Sequence, residues 1–127
     1  MDEKQMKEII DEYIMAYNNF DIRGMLKNLT DDVEFKNIAN NQVNLQIMGK
    51  NNLKKQAEQA VKLFKERKME IVHQKIDGDR VKNNINFRGI LARDIPDGPK
   101  AGESIEIHGK SIFKFQNGKI ISIEDVN

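Results

Sequence analysis

Two side chains in this sequence stand out as able to move or hold a proton. Asp125 closes the run Ile120-Ile121-Ser122-Ile123-Glu124-Asp125, and strand alternation sets it on one face with Ile121 and Ile123. If that apolar face turns inward, the carboxylate is desolvated and its pKa rises, as a general base needs. Asp125 also lies near the end of the sequence, where chains fray and solvent enters, so a solvated terminal acid is the competing reading. Tyr13 sits on the stripe Met6, Ile9, Ile10, Tyr13, Ile14, Tyr17, Phe20. A tyrosine there either packs in the core with its hydroxyl bonded to backbone or offers that hydroxyl to a ligand. Tyr17, one turn on, reads as core or rim.

The other polar candidates carry less. His73 and His108 are the only histidines. His108 alternates with Glu106 and Lys110 and so faces away from an apolar interior. His73, between Ile71 and Lys75, has an ambiguous face. Without spaced carboxylates beside them, and with no cysteine, neither a metal site nor any cofactor is expected. Asn83 interrupts the face set by Val81, Ile85 and Phe87. A buried amide must be satisfied, so it bonds across the sheet or meets a polar group of a ligand. No Gly-rich phosphate loop, nucleophile elbow or Ser-His-Asp grouping is present.

Composition sets the outer limits. The 127 residues fit one domain, read as 1–127, and no segment approaches the roughly 20 apolar residues of a membrane span. The 21 Lys+Arg against 20 Asp+Glu argue against a dedicated nucleic-acid binder. The opening Met1-Asp2-Glu3-Lys4 lacks the basic-then-apolar run of a secretory signal, so a cytoplasmic protein is expected.

The elements that must position these residues follow from periodicity. The stripe from Met6 to Phe20 predicts an amphipathic helix, broken at Asn18-Asn19. Asp21 reads as the N-cap of a short second helix carrying Ile22, Met25, Leu26 and Leu29, closed by Thr30-Asp31-Asp32. Val33 to Lys36 alternates as a strand; residues 37–49 are Asn-rich and irregular, with a possible short strand over 43–47. Leu53, Ala57, Ala60, Val61 and Phe64 predict a third helix capped by Asn51 or Asn52. Its lysines are interspersed with Glu58 and Glu66, which reads as a solvated face. From residue 69 the period is two: a strand over 69–76, a turn at Asp77-Gly78-Asp79, and a long strand with Val81, Ile85, Phe87 and Leu91 on one face. A polar loop over 94–102 follows, then a strand with Ile105, Ile107, Ser111, Phe113 and Phe115 together. Asn117-Gly118 marks a hairpin into the closing strand.

Helices followed by a meander of strands predict an α+β fold. The sheet must twist, and it covers its apolar face by curling around the helices into a cone. A cone not filled to its tip holds a pocket.

The sequence resembles the nuclear transport factor 2-like superfamily, which includes the SnoaL-like and ketosteroid-isomerase-like proteins. The resemblance rests on Tyr13-Ile14-Met15-Ala16-Tyr17-Asn18-Asn19-Phe20-Asp21 followed by Leu29-Thr30-Asp31-Asp32-Val33. It rests also on residues 102–107 and on Ile112-Phe113-Lys114-Phe115-Gln116-Asn117-Gly118-Lys119-Ile120 near the end. It implies three N-terminal helices in a strongly curved, mainly antiparallel mixed sheet of the cystatin-like type. It also implies a homodimer through the outer sheet face that carries Lys82, Asn84, Asn86 and Arg88. The isomerase chemistry of this superfamily uses a carboxylate base with a Tyr and a protonated Asp as oxyanion donors. By resemblance these positions fall on Asn37, Tyr13 and Ser111. An amide cannot take a proton at neutral pH, so steroid isomerisation by that route is not expected. SnoaL-like cyclases carry an acid on the last strand after a His-Trp pair; here the matching triplet is Ile123-Glu124-Asp125, with the acid kept and His and Trp replaced.

The expected lining of the pocket is Ile10, Tyr13, Tyr17, Leu29, Asn37 and Phe64 together with Phe87, Ile107, Ser111, Phe113, Ile123 and Asp125. The first expectation for function is binding of a small, largely apolar or carbonyl-containing molecule, with no nucleic acid or membrane as partner. The second is a SnoaL-like isomerase, cyclase or hydrolase moving a proton next to a carbonyl, with Asp125 as base and Tyr13 or Ser111 polarising the oxygen. The third is a homodimeric interaction module with a vestigial pocket.

Overall fold

The computed structural model describes all of residues 1–127. Helix α1 spans Glu3–Asn18, α2 Ile22–Leu26 and α3 Lys50–Val61. The strands are β1 Leu29–Ala39, β2 Gln42–Met48, β3 Phe64–Asp77, β4 Arg80–Leu91, β5 Ser104–Gln116 and β6 Lys119–Val126. They form one six-stranded sheet in the order β2-β1-β6-β5-β4-β3. Only the β1–β6 pair is parallel; the rest are antiparallel, so the fold is α+β with a mixed sheet. Register breaks at Asn37/Ile38, Ile71/His73 and Lys114/Phe115 fall along the strands, and such bulges increase twist and bend a sheet.

Local chemistry fixes α1 at both ends. Asp2 accepts from the Gln5 amide at 2.8 Å while the Gln5 side chain accepts from the Asp2 amide at 3.0 Å, a reciprocal capping box. At the other end Phe20 takes a left-handed φ of 57° and the Asp21 amide returns to the Ala16 carbonyl at 2.8 Å. Asp21 then caps α2 through the Gly24 amide at 3.0 Å, as its sequence position predicts. The stripe of α1 faces the sheet, with Met6, Ile10, Tyr13 and Ile14 buried. Asn18 does more than interrupt it. Its amide clamps the Met69 backbone with bonds of 3.1 and 2.7 Å, satisfying peptide groups on the free edge of β3.

The structure corrects the predicted boundaries in a consistent way. Leu29 and Phe64 both extend a helical stripe, yet both are the first residues of strands. Leu29 pairs with Ile120 and Phe64 with Leu91, so Thr30, Asp31 and Asp32 lie in β1 and Lys65 and Glu66 in β3. A bond from the Ala92 amide to the Leu63 carbonyl at 2.8 Å fixes the second transition. The N-cap of α3 is Gly49 with no side-chain cap; Asn51 and Asn52 lie in its first turn, and Asn52 bonds back to the Met48 carbonyl at 2.9 Å. The Asn-rich stretch is largely ordered as strand, because Asn40 and Asn41 turn the β1–β2 hairpin with φ of 54° and 62°. Two consecutive left-handed residues are what a type I′ hairpin turn requires, and asparagine tolerates them.

Candidate functional site

Register across the sheet gathers five polar residues into one row on its inner face. Gln74 lies opposite Asn83, Asn83 opposite Ser111, Ser111 opposite Asp125 and Asp125 beside Asn37. Four of these are linked. Gln74 Nε2 donates to Asn83 Oδ1 at 2.7 Å, Asn83 Nδ2 donates to the Ser111 carbonyl at 3.0 Å, and Ser111 Oγ donates to Asp125 Oδ1 at 2.8 Å. Asn83 and Ser111 are fully buried, so Asn83 takes the cross-sheet alternative.

The row divides the interior in two. On one side the next rank, Val81, Phe113 and Ile123, has no solvent exposure, and the cone there is solid. On the other side lies a cavity of about 210 Å³. Its apolar wall comes from Phe64, Met69, Ile85, Phe87, Ile107 and Val126, and its polar atoms from Tyr17, Asn37, Lys110, Asp125 and Asn127, with Gly109 completing the lining. Gly109 has a steric reason: a Cβ there would stand 2.5 Å from the Val126 carbonyl oxygen, so the last strand could not close over it. Three rings form one continuous edge-to-face set, Tyr17 on Phe87 at 6.3 Å and Phe64 on Phe87 at 5.5 Å.

Of the twelve residues expected to line a pocket, the structure brings Tyr17, Asn37, Phe64, Phe87, Ile107 and Asp125 to this cavity. Ile10, Tyr13, Leu29, Ser111, Phe113 and Ile123 lie in the packed interior instead. Tyr13 stands edge-on to Phe113 at 5.4 Å, and Tyr17, a turn further along α1, is the phenol at the cavity wall. The Ser111 hydroxyl is committed to Asp125. His108 lies on the outer face, its Nδ1 2.6 Å from Asn86 Oδ1, and His73 is exposed opposite Asn84 on that same face.

The electrostatics of the cavity centre on Asp125. Protein packs densely around it while part of its surface opens on the cavity, and this burial raises its pKa from 3.8 to about 6. The Ser111 hydrogen bond works in the other direction, favouring the carboxylate. Burial also drives the Tyr13 hydroxyl well above its ordinary range, with the Asp125 charge adding to the effect. Tyr17 is pushed up to about 12 by burial, while the positive charge of Arg67 pulls it down.

Arg67 was not signalled by the sequence, where it stands among charged neighbours on a strand. It is only 6% exposed, and no acid pairs with it. Its Nε donates to the Tyr17 carbonyl at 2.8 Å, and its guanidinium lies 3.7 Å above the Tyr17 ring centroid and 4.8 Å from that of Phe20. Cation–π contact on two rings substitutes in part for a carboxylate. Arg67 thereby fixes the Tyr17 ring at the cavity wall. No group of three or more His, Cys, Asp or Glu side chains converges in the molecule, and no helix is long and apolar enough to cross a membrane.

This arrangement falls within a known class. A sequence profile of the SnoaL-like domain matches residues 10–123, and the chain belongs to that family, within the nuclear transport factor 2-like superfamily. Among proteins of curated function, none matches the chain significantly in sequence. Among solved structures, a proposed polyketide cyclase from Xanthomonas campestris pv. campestris superposes with a TM-score of 0.84 at 16% identity, over 98% of this chain and 90% of that one. TsrD from Streptomyces laurentii gives 0.81 at 16% identity, over 98% and 89%. An LEH-like epoxide hydrolase from M. tuberculosis gives 0.76 at 16% identity, over 97% and 82%. At such identities the likeness is one of fold.

Proposed function

We propose that this protein binds a small, largely apolar molecule bearing an oxygen, seated in the cavity with that oxygen at Tyr17 and Asp125. The cavity itself carries the reading: it is walled by Phe64, Met69, Ile85, Phe87 and Ile107, and its lining includes the Tyr17 phenol and the Asp125 carboxyl. An interaction module with a vestigial pocket would gain nothing from leaving this space unfilled. A homodimer through the outer face of β3 to β6 belongs to the same proposal; that face offers cross-strand charge pairs such as Arg88 with Glu106.

One observation favours a second reading, proton transfer next to a carbonyl. A carboxylate whose pKa is about 6 is mostly ionised at neutral pH yet a far better base than an ordinary aspartate. Asp125 would take a proton from the carbon beside the carbonyl; the C–H electron pair forms the C=C bond of an enolate as the C=O π pair moves onto the oxygen, to which the Tyr17 hydroxyl donates a hydrogen bond. The proton then returns from Asp125 to the same or a conjugated carbon. Incubation with acetophenone in D₂O separates the readings. An enzyme of this kind incorporates deuterium at the methyl carbon, and Asp125→Asn abolishes the exchange. A binding protein shifts the methyl resonances of Met69, Ile85 and Ile107 without exchange, and Asp125→Asn leaves its affinity within about threefold. Absence of both exchange and shifts, for acetophenone and for larger ketones alike, overturns the binding proposal.

A further inference from the structure

Phe64 lines this cavity, and the residue beneath it is a glycine. Gly89 is on the inner face of β4, one pleat from Phe87, where a side chain would project toward the helices. A Cβ there would stand 2.7 Å from two carbons of the Phe64 ring and 3.2 Å from Phe87. Glycine leaves room for the ring of Phe64 over the sheet, where it meets Phe87 at 74° between planes and lines the cavity. Gly89 does not have a left-handed φ, so its lack of a side chain, not its backbone freedom, is what the site uses.

The space left is small. Ligand pockets for drug-sized molecules run from about 300 Å³ upward, whereas a cavity of about 150 Å³ holds a single benzene. At about 210 Å³ this one has room for one ring with a short substituent or for two fused rings. Chemistry narrows the class further. Of the polar groups in the lining, Tyr17, Asn37 and Asp125 are partly buried, whereas Lys110 and Asn127 are exposed, so an anionic group beside Asp125 is repelled and a neutral oxygen acceptor can take a hydrogen bond from the Tyr17 phenol. We infer that the ligand is a neutral one- or two-ring molecule with a single oxygen acceptor on its buried end, and that Phe64, held over Gly89, excludes larger fused-ring systems. A four-ring compound would leave much of its apolar surface outside, past Lys110 and Asn127. This inference rests on the binding reading above.

Calorimetric and NMR titrations with acetophenone, tetralone and progesterone, one, two and four rings, test it. In the wild-type protein tetralone binds at least tenfold more tightly than progesterone, with the largest shifts at the methyls of Met69, Ile85 and Ile107. In Phe64→Ala the preference falls by tenfold or more, as the space left by the ring admits further rings. Phe64→Leu, the milder change should the alanine variant not fold, moves the ratio in the same direction. Progesterone binding as tightly as tetralone to the wild type overturns the inference, and so does a ranking that neither substitution alters; both leave the binding proposal standing. Failure of all three ketones to bind either protein removes that proposal and this inference together.

Discussion

At the scale of single residues, Asp125 is the group whose protonation matters most. Its folded pKa lies above its unfolded one, about 6 against 3.8, so the folded state holds the proton more tightly. Linkage then fixes the sign. The stabilisation is complete below pH 3.8 and is lost as pH rises through about 6. At 1.36 kcal/mol per unit the loss is at most about 3 kcal/mol, less where water in the cavity hydrates the charge. Asp125→Asn keeps an oxygen for the Ser111 hydroxyl and removes the ionisation. Its stability relative to wild type, from urea unfolding, should therefore rise by up to about 3 kcal/mol between pH 4 and pH 8. A difference flat across that range, or one that falls, contradicts the placement of Asp125. The rest of the polar row has a supporting part: Asn83 spends its amide on the backbone of Ser111, whose hydroxyl holds Asp125.

At the scale of elements, much could be read from the sequence because it depended on local pattern. The stripe of α1, the turns at Gly78 and Asn117-Gly118, and the alternation that buries Val81, Ile85, Phe87 and Leu91 are encoded within a dozen residues. The errors fall where a distant partner decides. Leu29 and Phe64 continue a helical period, but pairing with Ile120 and Leu91 takes them into strands. Asn37 meets Asp125 only through the one parallel pairing, which no local signal announces. Gly89 looks like an ordinary weak point in a strand until Phe64 is seen lying on it. Gly89→Ala should accordingly cost about 1–3 kcal/mol through overpacking. In a Phe64→Ala background the same change should cost much less, the two sites being in direct contact. Denaturant unfolding of the four proteins gives the coupling; additive costs would mean that the ring does not need the glycine.

At the scale of the whole molecule, the polar row is a partition. Below it the cone is filled by Phe113, Ile123, Val81, Ile120 and Leu29; above it Phe64, Phe87, Met69, Ile85 and Ile107 enclose space. The family's shape was readable from motifs spread over nearly the whole chain, but the position of this partition was not. It depends on how tightly side chains from six strands and α1 pack, which no single segment carries. Tyr13 and Tyr17 show the consequence: one turn of α1 separates the phenol locked on Phe113 from the phenol at the cavity. The central claim is that the carboxyl of Asp125 looks into that space from the polar row. Carbon-13 NMR of the aspartate side chains across pH 3 to 9 tests it most directly. The account predicts that Asp125 titrates near 6, and higher still in Ser111→Ala, which removes the hydrogen bond favouring its charged form. A midpoint at or below 3.8, unmoved by that substitution, would contradict it.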